Sequence, residues 1–315
     1  MKRAVCALAA CRSAYLLSAP LLSTVLGVAL AASDSSAQTG AVPDFSGTWA
    51  RQAFGFERPS MGPGPIENLE HRASGIGSNL SKLVGDYKSP ILKPEAAERV
   101  KRLGEISQSG NAFPDPSNQC HPQPAPYGLA GQRHVKILQA PDRITILYEQ
   151  DQQVRHIYMN QRHPANLRPS WFGHSVGRFE GDTLVVDTVG FKVGPLSMVD
   201  VYGTPHSDTL HLVERFRLVD YDVAKAATEL AIKETGYAKG GLINEGVVFD
   251  AAYMGKGLQV EFTVDDEKTF TMRWGAAVTY RRPASSWLEY ACAENTFEYY
   301  ANKDTAIPTA SRPDF

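Results

Sequence analysis

Cysteine is scarce in this chain, and neither sign of charge is in excess. Four of the 315 residues are cysteine, no two of them form a CxxC pair, and the formal net charge is -2. The missing CxxC spacing argues against a redox centre or a zinc site built from thiolates. Proteins that follow nucleic acid by charge alone are strongly basic, so we expect no nucleic-acid partner.

Metal-site motifs are also missing. The eight histidines include no HxH or HExxH pattern, which would place two ligands on one face. Several histidines nevertheless share a central segment with acidic residues, and imidazole with carboxylate suits zinc or iron. These residues are His163, His174, His206 and His211, with Asp187, Asp208 and Glu214. Because the ligand spacing is lacking, we predict no metal and no other cofactor.

The longest apolar run stands near the start and has the pattern of a secretory signal. Basic residues precede a run over 14–31, and small-residue cleavage patterns end at Ala31 and Ala37. A membrane anchor is the alternative, but the run is barely long enough to span and contains Pro20. We predict a cleaved signal over 1–37, one domain over 38–315, a periplasmic or secreted location, and no stable membrane span after cleavage.

Removal of the leader would leave Cys120 and Cys292 as the remaining cysteines. In an oxidising compartment, two cysteines predict a disulfide that ties an early loop to the C-terminal segment. Two separate buried thiols are the alternative, because spacing alone does not prove pairing.

Strand patterns dominate the domain. The run from Gly173 to Phe191 alternates on both sides of Glu180-Gly181-Asp182 and predicts a hairpin. The start Gly47-Thr48-Trp49 resembles the first strand of lipocalin-type barrels, although an ordinary core tryptophan explains it equally well. Further strands are predicted at Ile144–Glu149, Val154–Met159, Leu210–Leu218, Leu258–Val264 and Thr269–Tyr280.

Helical patterns are few. Helices are predicted at Pro94–Ile106 and Tyr221–Tyr237, the second ending at Gly240-Gly241, and the rest of 57–131 reads as an irregular excursion. Strands without intervening helices exclude a doubly wound parallel fold. The pattern therefore predicts a mainly β protein, a curled antiparallel sheet or lipocalin-like barrel with one or two covering helices.

One motif fails its structural test. Residues 173–177 read GHSVG and match the nucleophile elbow of serine hydrolases around Ser175. That elbow requires a strand-to-helix turn above a parallel sheet, whereas this motif continues into a strand. We therefore expect no serine hydrolase.

Strand parity points to an interior ion pair. Glu214 shares its face with leucines and a phenylalanine of its strand, and Arg155 shares its face with Ile157 and Met159. A buried unpaired charge is costly, so each needs a charged partner, and we predict that they are each other's. This pattern fits a purely structural role, and it fits a role in ligand binding or catalysis equally well.

The hairpin predicts a second polar pair. A two-residue turn at Glu180-Gly181 would put His174 opposite Asp187, whereas a three-residue loop would shift the register by one. Histidine with aspartate has the form of an acid/base dyad. An ordinary cross-strand polar pair is the alternative.

Four longer segments resemble a large uncharacterised family of secreted Gram-negative bacterial proteins. They are GHSVGRFEGDTLVVDTVGF, YGTPHSDTLHLVERFRLVDY, CAEN at Cys292 to Asn295, and the closing TAIPTASRPDF. The resemblance covers most of the chain after the leader and implies secretion from a Gram-negative bacterium, but it implies no activity. Members of that family often carry Asp at the position of His174 and Tyr at that of His206, so it implies no histidine chemistry there.

Two classes of function follow from these residues. The first is a binding protein that encloses a small apolar or amphipathic ligand and binds the polar end of that ligand with a His/Asp/Glu/Arg cluster. The second is a metal-independent acid/base enzyme on the same scaffold, such as an isomerase, hydratase or lyase. An envelope interaction protein that uses 57–131 is a third reading, and the oligomeric state stays open. The catalytic candidates are His174, Asp187 and Glu214, and the ligand-binding candidates are Arg155, Tyr158, Arg178, His206 and His211.

Overall fold

The computed structural model describes residues 42–69, 82–234 and 247–292. The predicted leader, the glycines predicted to end the second helix, and the CAEN and TAIPTASRPDF segments beyond Cys292 lie outside these ranges. Among the described residues, no helix is long and apolar enough to cross a membrane. The strands are β1 (Gly47–Ala50), β2 (His134–Gln139), β3 (Arg143–Tyr148), β4 (Val154–Met159), β5 (His174–Glu180), β6 (Thr183–Val189), β7 (His211–Val219), β8 (Gly257–Asp265) and β9 (Trp274–Tyr280), and the helices are α1 (Pro94–Gln108) and α2 (Tyr221–Glu234).

The nine strands form one sheet in the order in which they follow along the chain. Its two ends meet, because the Ala50 amide donates to the Arg281 carbonyl at 2.8 Å and the Arg281 amide donates back at 3.0 Å. A second bridge joins Glu57 to Ala277. The sheet is therefore a nearly closed barrel, which confirms the predicted fold class, and closure leaves few unpaired edge groups.

All neighbouring strands are antiparallel except β4 and β5, which run parallel. Parallel neighbours need a crossover of a dozen or more residues, and the connection over 160–173 supplies it. This crossover lies against the outer face of the barrel, where it contributes a histidine to the site described below.

Alternation decides which side chains fill the barrel. In β8, the inward residues Leu258, Val260, Phe262 and Val264 are at most 3% exposed, as their spacing predicts. Burying such a side chain stabilises the fold by about 1.5 to 3 kcal/mol. Trp49 is likewise buried, and its indole N–H donates to the Phe45 carbonyl at 2.8 Å.

The two predicted helices are present. Helix α1 begins with Pro94, whose fixed φ suits a first turn, and buries Ala96, Val100 and Leu103 along one stripe. It extends to Gln108, slightly beyond the predicted end. Helix α2 begins at Tyr221 as predicted and packs on β8 and β9.

Cys120 and Cys292 form a disulfide with a Cα–Cα distance of 5.3 Å, which confirms the predicted pairing. The bond joins the irregular segment before β2 to the chain that follows β9. Asp151, in the turn between β3 and β4, accepts a hydrogen bond from the Cys292 amide at 2.6 Å.

Candidate functional site

The hairpin of β5 and β6 turns at Gly181-Asp182, one residue later than predicted. Glu180 pairs with Thr183, so Asp187 faces Val176 and His174 faces Val189. The predicted opposition of His174 and Asp187 is therefore wrong. Gly181 has a φ of 63° at the first loop position, where a type II′ turn takes glycine, and this preference sets the register.

A third residue joins His174 to Asp187. His163, from the crossover over 160–173, lies with Nδ1 at 2.9 Å from Nδ1 of His174 and with Nε2 at 3.0 Å from Oδ1 of Asp187. His211 of β7 completes the row, with Nε2 at 2.9 Å from Oδ2 of Asp187. We call these four residues, His174, His163, Asp187 and His211, the histidine relay.

The histidine relay lies on the outer face of the barrel and is partly exposed to solvent. The side chains of His163, Asp187 and His211 are 25%, 33% and 38% exposed. Tyr158 of β4 stacks on His174 with ring centroids 5.2 Å apart. The relay therefore has one aromatic wall and a solvent-accessible side.

The residues of the relay differ in how readily they carry a positive charge. Hydrogen bonds from His211 and His163 hold the pKa of Asp187 below its ordinary value, against the opposite effect of partial burial. The hydrogen bond to Asp187 raises the pKa of His211. Partial burial, together with the charge of His163, lowers the pKa of His174. Positive charge is thus favoured at the His211 end and disfavoured at His174.

The proton positions follow from the contacts. An ionised carboxylate can only accept, so Nε2 of His163 carries a proton toward Asp187. One proton lies between the two Nδ1 atoms, and where His163 is neutral it accepts that proton from His174. Neutral His174 then has an unprotonated Nε2, and no described residue makes a hydrogen bond to that atom. The relay therefore ends in an available base, backed by a carboxylate that stabilises positive charge on His163.

Arg155 and Glu214 form the predicted ion pair inside the barrel. Arg155 is 2% exposed and Glu214 is 0% exposed. Nη1 of Arg155 donates to Oε1 of Glu214 at 2.9 Å, and Nη2 donates to Oε2. Burial would lower the pKa of Arg155, but the carboxylate of Glu214 raises it by more. The prediction of a bonded interior pair is confirmed.

Two further donors of Arg155 are also engaged. Nε donates to Ser175 Oγ at 3.1 Å, Nη2 donates to Thr188 Oγ1 at 2.9 Å, and the two hydroxyl oxygens lie 2.9 Å apart. Ser175 of the GHSVG motif is therefore bonded inside the barrel and does not stand on a nucleophile elbow. Alternation could have identified both hydroxyl residues, since each is a polar residue at an inward position.

The other candidate residues lie elsewhere. Arg178 is exposed near the turn of β5 and bonds Glu180 through Nη2 at 2.6 Å. His206 is buried, with Nδ1 at 3.0 Å from the Ser207 carbonyl and its ring against Phe191, and burial lowers its pKa. The single His/Asp/Glu/Arg cluster expected from the sequence is therefore divided between an interior pair, an outer relay and two separate positions.

The sequence groups His163 with the central histidines but does not mark it as a site residue. It lies in the crossover, and no local periodicity specifies where a crossover side chain will point. Across the described residues, no group of three or more potential ligands is arranged to hold a metal ion.

Comparisons of the chain with protein-family models, with curated proteins and with solved structures find no match.

Proposed function

We propose that this chain is an exported, metal-independent acid/base enzyme that binds a small molecule at the histidine relay. The observation that carries the proposal is the hydrogen-bonded row from His211 to His174, which ends at an Nε2 atom that no described residue bonds. That nitrogen takes a proton from carbon in the substrate and returns one from solvent. The reaction class is therefore an isomerisation, hydration or elimination.

The relay supports proton transfer by stabilising the positive charge that the transfer creates. When Nε2 of His174 accepts a proton, the proton on Nδ1 can pass to Nδ1 of His163, 2.9 Å away. Positive charge then lies next to the ionised Asp187, which already accepts from His211. General base catalysis of this kind contributes about 10² to 10⁴ in rate.

The interior pair is better suited to a structural role. Arg155 is bonded to Glu214 and also to Ser175 and Thr188, so a ligand would have to displace these bonds before it could use the pair. Breaking a buried pair costs several kcal/mol. This argues for the outer face as the place where a small molecule binds.

Binding of a small apolar or amphipathic ligand without turnover is the second candidate. The observation that favours it is the ring of Tyr158, stacked on His174 beside the open side of the relay. An apolar wall next to a few polar atoms is typical of small-molecule sites.

Export is supported by two observations. The leader over 1–37 has the pattern of a cleaved signal, and the disulfide between Cys120 and Cys292 is of a kind that persists in oxidising compartments. We infer a periplasmic or secreted location, in keeping with the proposed membership of the secreted Gram-negative family.

Deuterium incorporation tests the enzyme proposal with a mixture of candidate substrates, so the substrate need not be identified first. The purified protein is incubated in D₂O with a small-molecule extract of its own host, and mass spectrometry follows metabolites that gain one mass unit at carbon. We expect at least one such metabolite with the wild type and about 10²-fold slower exchange with His174→Gln.

The matched control is His156→Gln. His156 is exposed on the outer face of β4 and contacts Thr145, outside the relay, so its exchange rate should equal that of the wild type. Equal exchange by His174→Gln, or no exchange by any form, would contradict the enzyme proposal. If native mass spectra show a retained metabolite but no deuterium is incorporated, the result supports ligand binding without turnover.

A further inference from the structure

A glutamate, a histidine and a serine form a second hydrogen-bonded row where β2 begins and β3 ends. His134 is the first residue of β2, Glu149 follows the last residue of β3, and Ser285 belongs to the segment after β9. Nδ1 of His134 lies 2.9 Å from each carboxylate oxygen of Glu149, and Nε2 lies 2.8 Å from Oγ of Ser285. None of these three residues belongs to the histidine relay or to the interior ion pair.

The contacts of Glu149 orient the imidazole of His134. Partial burial acts to raise the pKa of Glu149, but hydrogen bonds from the His134 ring and the Leu288 amide hold it below its ordinary value. An ionised carboxylate can only accept, so Nδ1 of His134 carries a proton toward it. Where His134 is neutral, Nε2 then has no proton and accepts the hydroxyl proton of Ser285. The serine therefore has a general base in contact with it, and a carboxylate orients that base.

Burial leaves the serine as the accessible end of this row. His134 is 0% exposed and Glu149 is 3% exposed, whereas Ser285 is partly exposed. The backbone amide of Val248 donates to Oγ of Ser285 at 3.1 Å. A hydroxyl oxygen has two lone pairs, so this contact fixes the position of Oγ and leaves the second lone pair available for attack.

We propose that Ser285 is a nucleophile that takes the acyl group of a small ester, with His134 as its general base. Oγ bonds to the carbonyl carbon while Nε2 of His134 takes the hydroxyl proton, and the alcohol leaves with that proton when its bond to carbon breaks. Water then attacks the acyl-serine by the same route, which releases the acid and restores the hydroxyl. The Val248 amide, which points at Oγ, lies beside the carbonyl oxygen that becomes negative.

This serine differs from the one in the GHSVG motif. Ser175 is 1% exposed and bonded to Arg155 inside the barrel, whereas Ser285 is partly exposed and bonded to a histidine. A purely structural role for Ser285 would use the same bonds to fasten the segment after β9 to the barrel. That role requires no reactivity of the hydroxyl, so a chemical readout separates it from the proposed one.

Labelling of the purified protein with a small fluorophosphonate supplies this readout. Oγ bonds to phosphorus, fluoride leaves, and Nε2 of His134 takes the hydroxyl proton. We expect a single label per chain, mapped to Ser285 by mass spectrometry of peptides, in the folded protein and none after unfolding in urea. Ser170 is the internal control because it is exposed and its hydroxyl donates to the Gly173 carbonyl. An unlabelled Ser285 in the folded protein, or equal labelling of both serines, would overturn the proposal.

His134→Gln tests the base. It should slow the labelling of Ser285 by about 10²-fold or more, whereas His156→Gln, at an exposed histidine outside this row, should label at the wild-type rate. Equal rates in His134→Gln and the wild type would refute the activation of Ser285. If His134→Gln does not fold, incubation of the wild type with p-nitrophenyl acetate replaces it. An acetyl group on Ser285 is then the expected result, and an unmodified Ser285 would refute acyl transfer.

Discussion

At the scale of single residues, burial separates two groups of polar side chains that belong to the same barrel wall. Arg155 and Glu214 face the interior, where a charge without its partner costs several kcal/mol, and they are bonded to each other. His174, Asp187 and His211 face outward and are partly exposed, and no described residue bonds Nε2 of His174. The inner group is suited to stability and the outer group to chemistry.

Arg155→Met should destabilise the protein by about 3 to 5 kcal/mol, because it leaves Glu214 charged and unpaired in the interior. The double variant Arg155→Met/Glu214→Gln should recover much of that loss. A double-mutant cycle by denaturant unfolding measures the coupling. Arg217→Met is the control, since its pair with Glu261 is partly exposed and worth less than about 1 kcal/mol. Additive effects of the two interior substitutions would contradict the pairing.

Asp187→Asn should lower the pKa of His211. In the folded wild type the hydrogen bond to Asp187 raises the pKa of His211 above its ordinary value of 6.5. The pair therefore stabilises the fold fully below pH 6.5, and this stabilisation is lost as the pH rises through the pKa that His211 has in the folded protein. Because both side chains are about a third exposed, we expect an effect on unfolding below about 1 kcal/mol. NMR titration of the His211 ring measures the pKa directly, with Asp208→Asn as control. An unchanged pKa in Asp187→Asn would show that the two groups do not interact in solution.

At the scale of elements, close approach of backbones decides how α2 covers the barrel. A Cβ added at Gly257, the first residue of β8, would lie 2.3 Å from Cβ of Ala224 and 3.0 Å from the carbonyl oxygen of Tyr280. Ala224 is in the first turn of α2, so only glycine lets the helix lie this close to β8. The small residues therefore set the position of the helix.

Gly257→Ala should destabilise the protein by about 1 to 3 kcal/mol through overpacking against α2. Adding Ala224→Gly should recover part of the loss, although glycine in a helix costs up to about 1 kcal/mol itself. Gly131→Ala is the matched control, since its Cβ would meet no atom closer than 3.8 Å. Chemical denaturation compares the variants, and equal stability of Gly257→Ala and Gly131→Ala would contradict the packing argument.

At the scale of the whole molecule, contacts between distant segments hold the barrel together. The first strand meets the residue after the last strand through the paired amides of Ala50 and Arg281. The disulfide joins residues 172 positions apart, outside the sheet. Both contacts close long loops, so each removes conformational freedom from the unfolded chain.

Breaking the disulfide should lower the free energy of unfolding by about 3 to 5 kcal/mol in the chain-entropy model. Cys120→Ala, Cys292→Ala and the double variant should lose similar amounts, because each removes the same bond. Thiol titration of the mature protein under denaturing, non-reducing conditions should find no free thiol. Two free thiols, or losses that add in the double variant, would rule out the bond.

Local patterns in the sequence predicted eight of the nine described strands, their inward and outward faces, and the two helix starts. Strand β2 was not predicted, and the last strand begins at Trp274 instead of the predicted Thr269. Alternation has a period of two, so it identified Glu214 and Arg155 as interior residues without any tertiary contact. Two cysteines after the predicted leader were enough to predict their bond. The turn between β5 and β6 was predicted one residue too early. Glycine occupies the first loop position, so the strand register differs from the predicted one and His174 does not face Asp187.

Only the tertiary structure decided how distant segments meet. The parallel pairing of β4 and β5 sends the crossover over the outer face and brings His163 between His174 and Asp187. The contact of His134 with Ser285 likewise joins segments far apart along the chain. Periodicity carries information about the neighbours of a residue along its own strand, whereas a crossover or a contact between distant segments depends on the packing of the whole barrel.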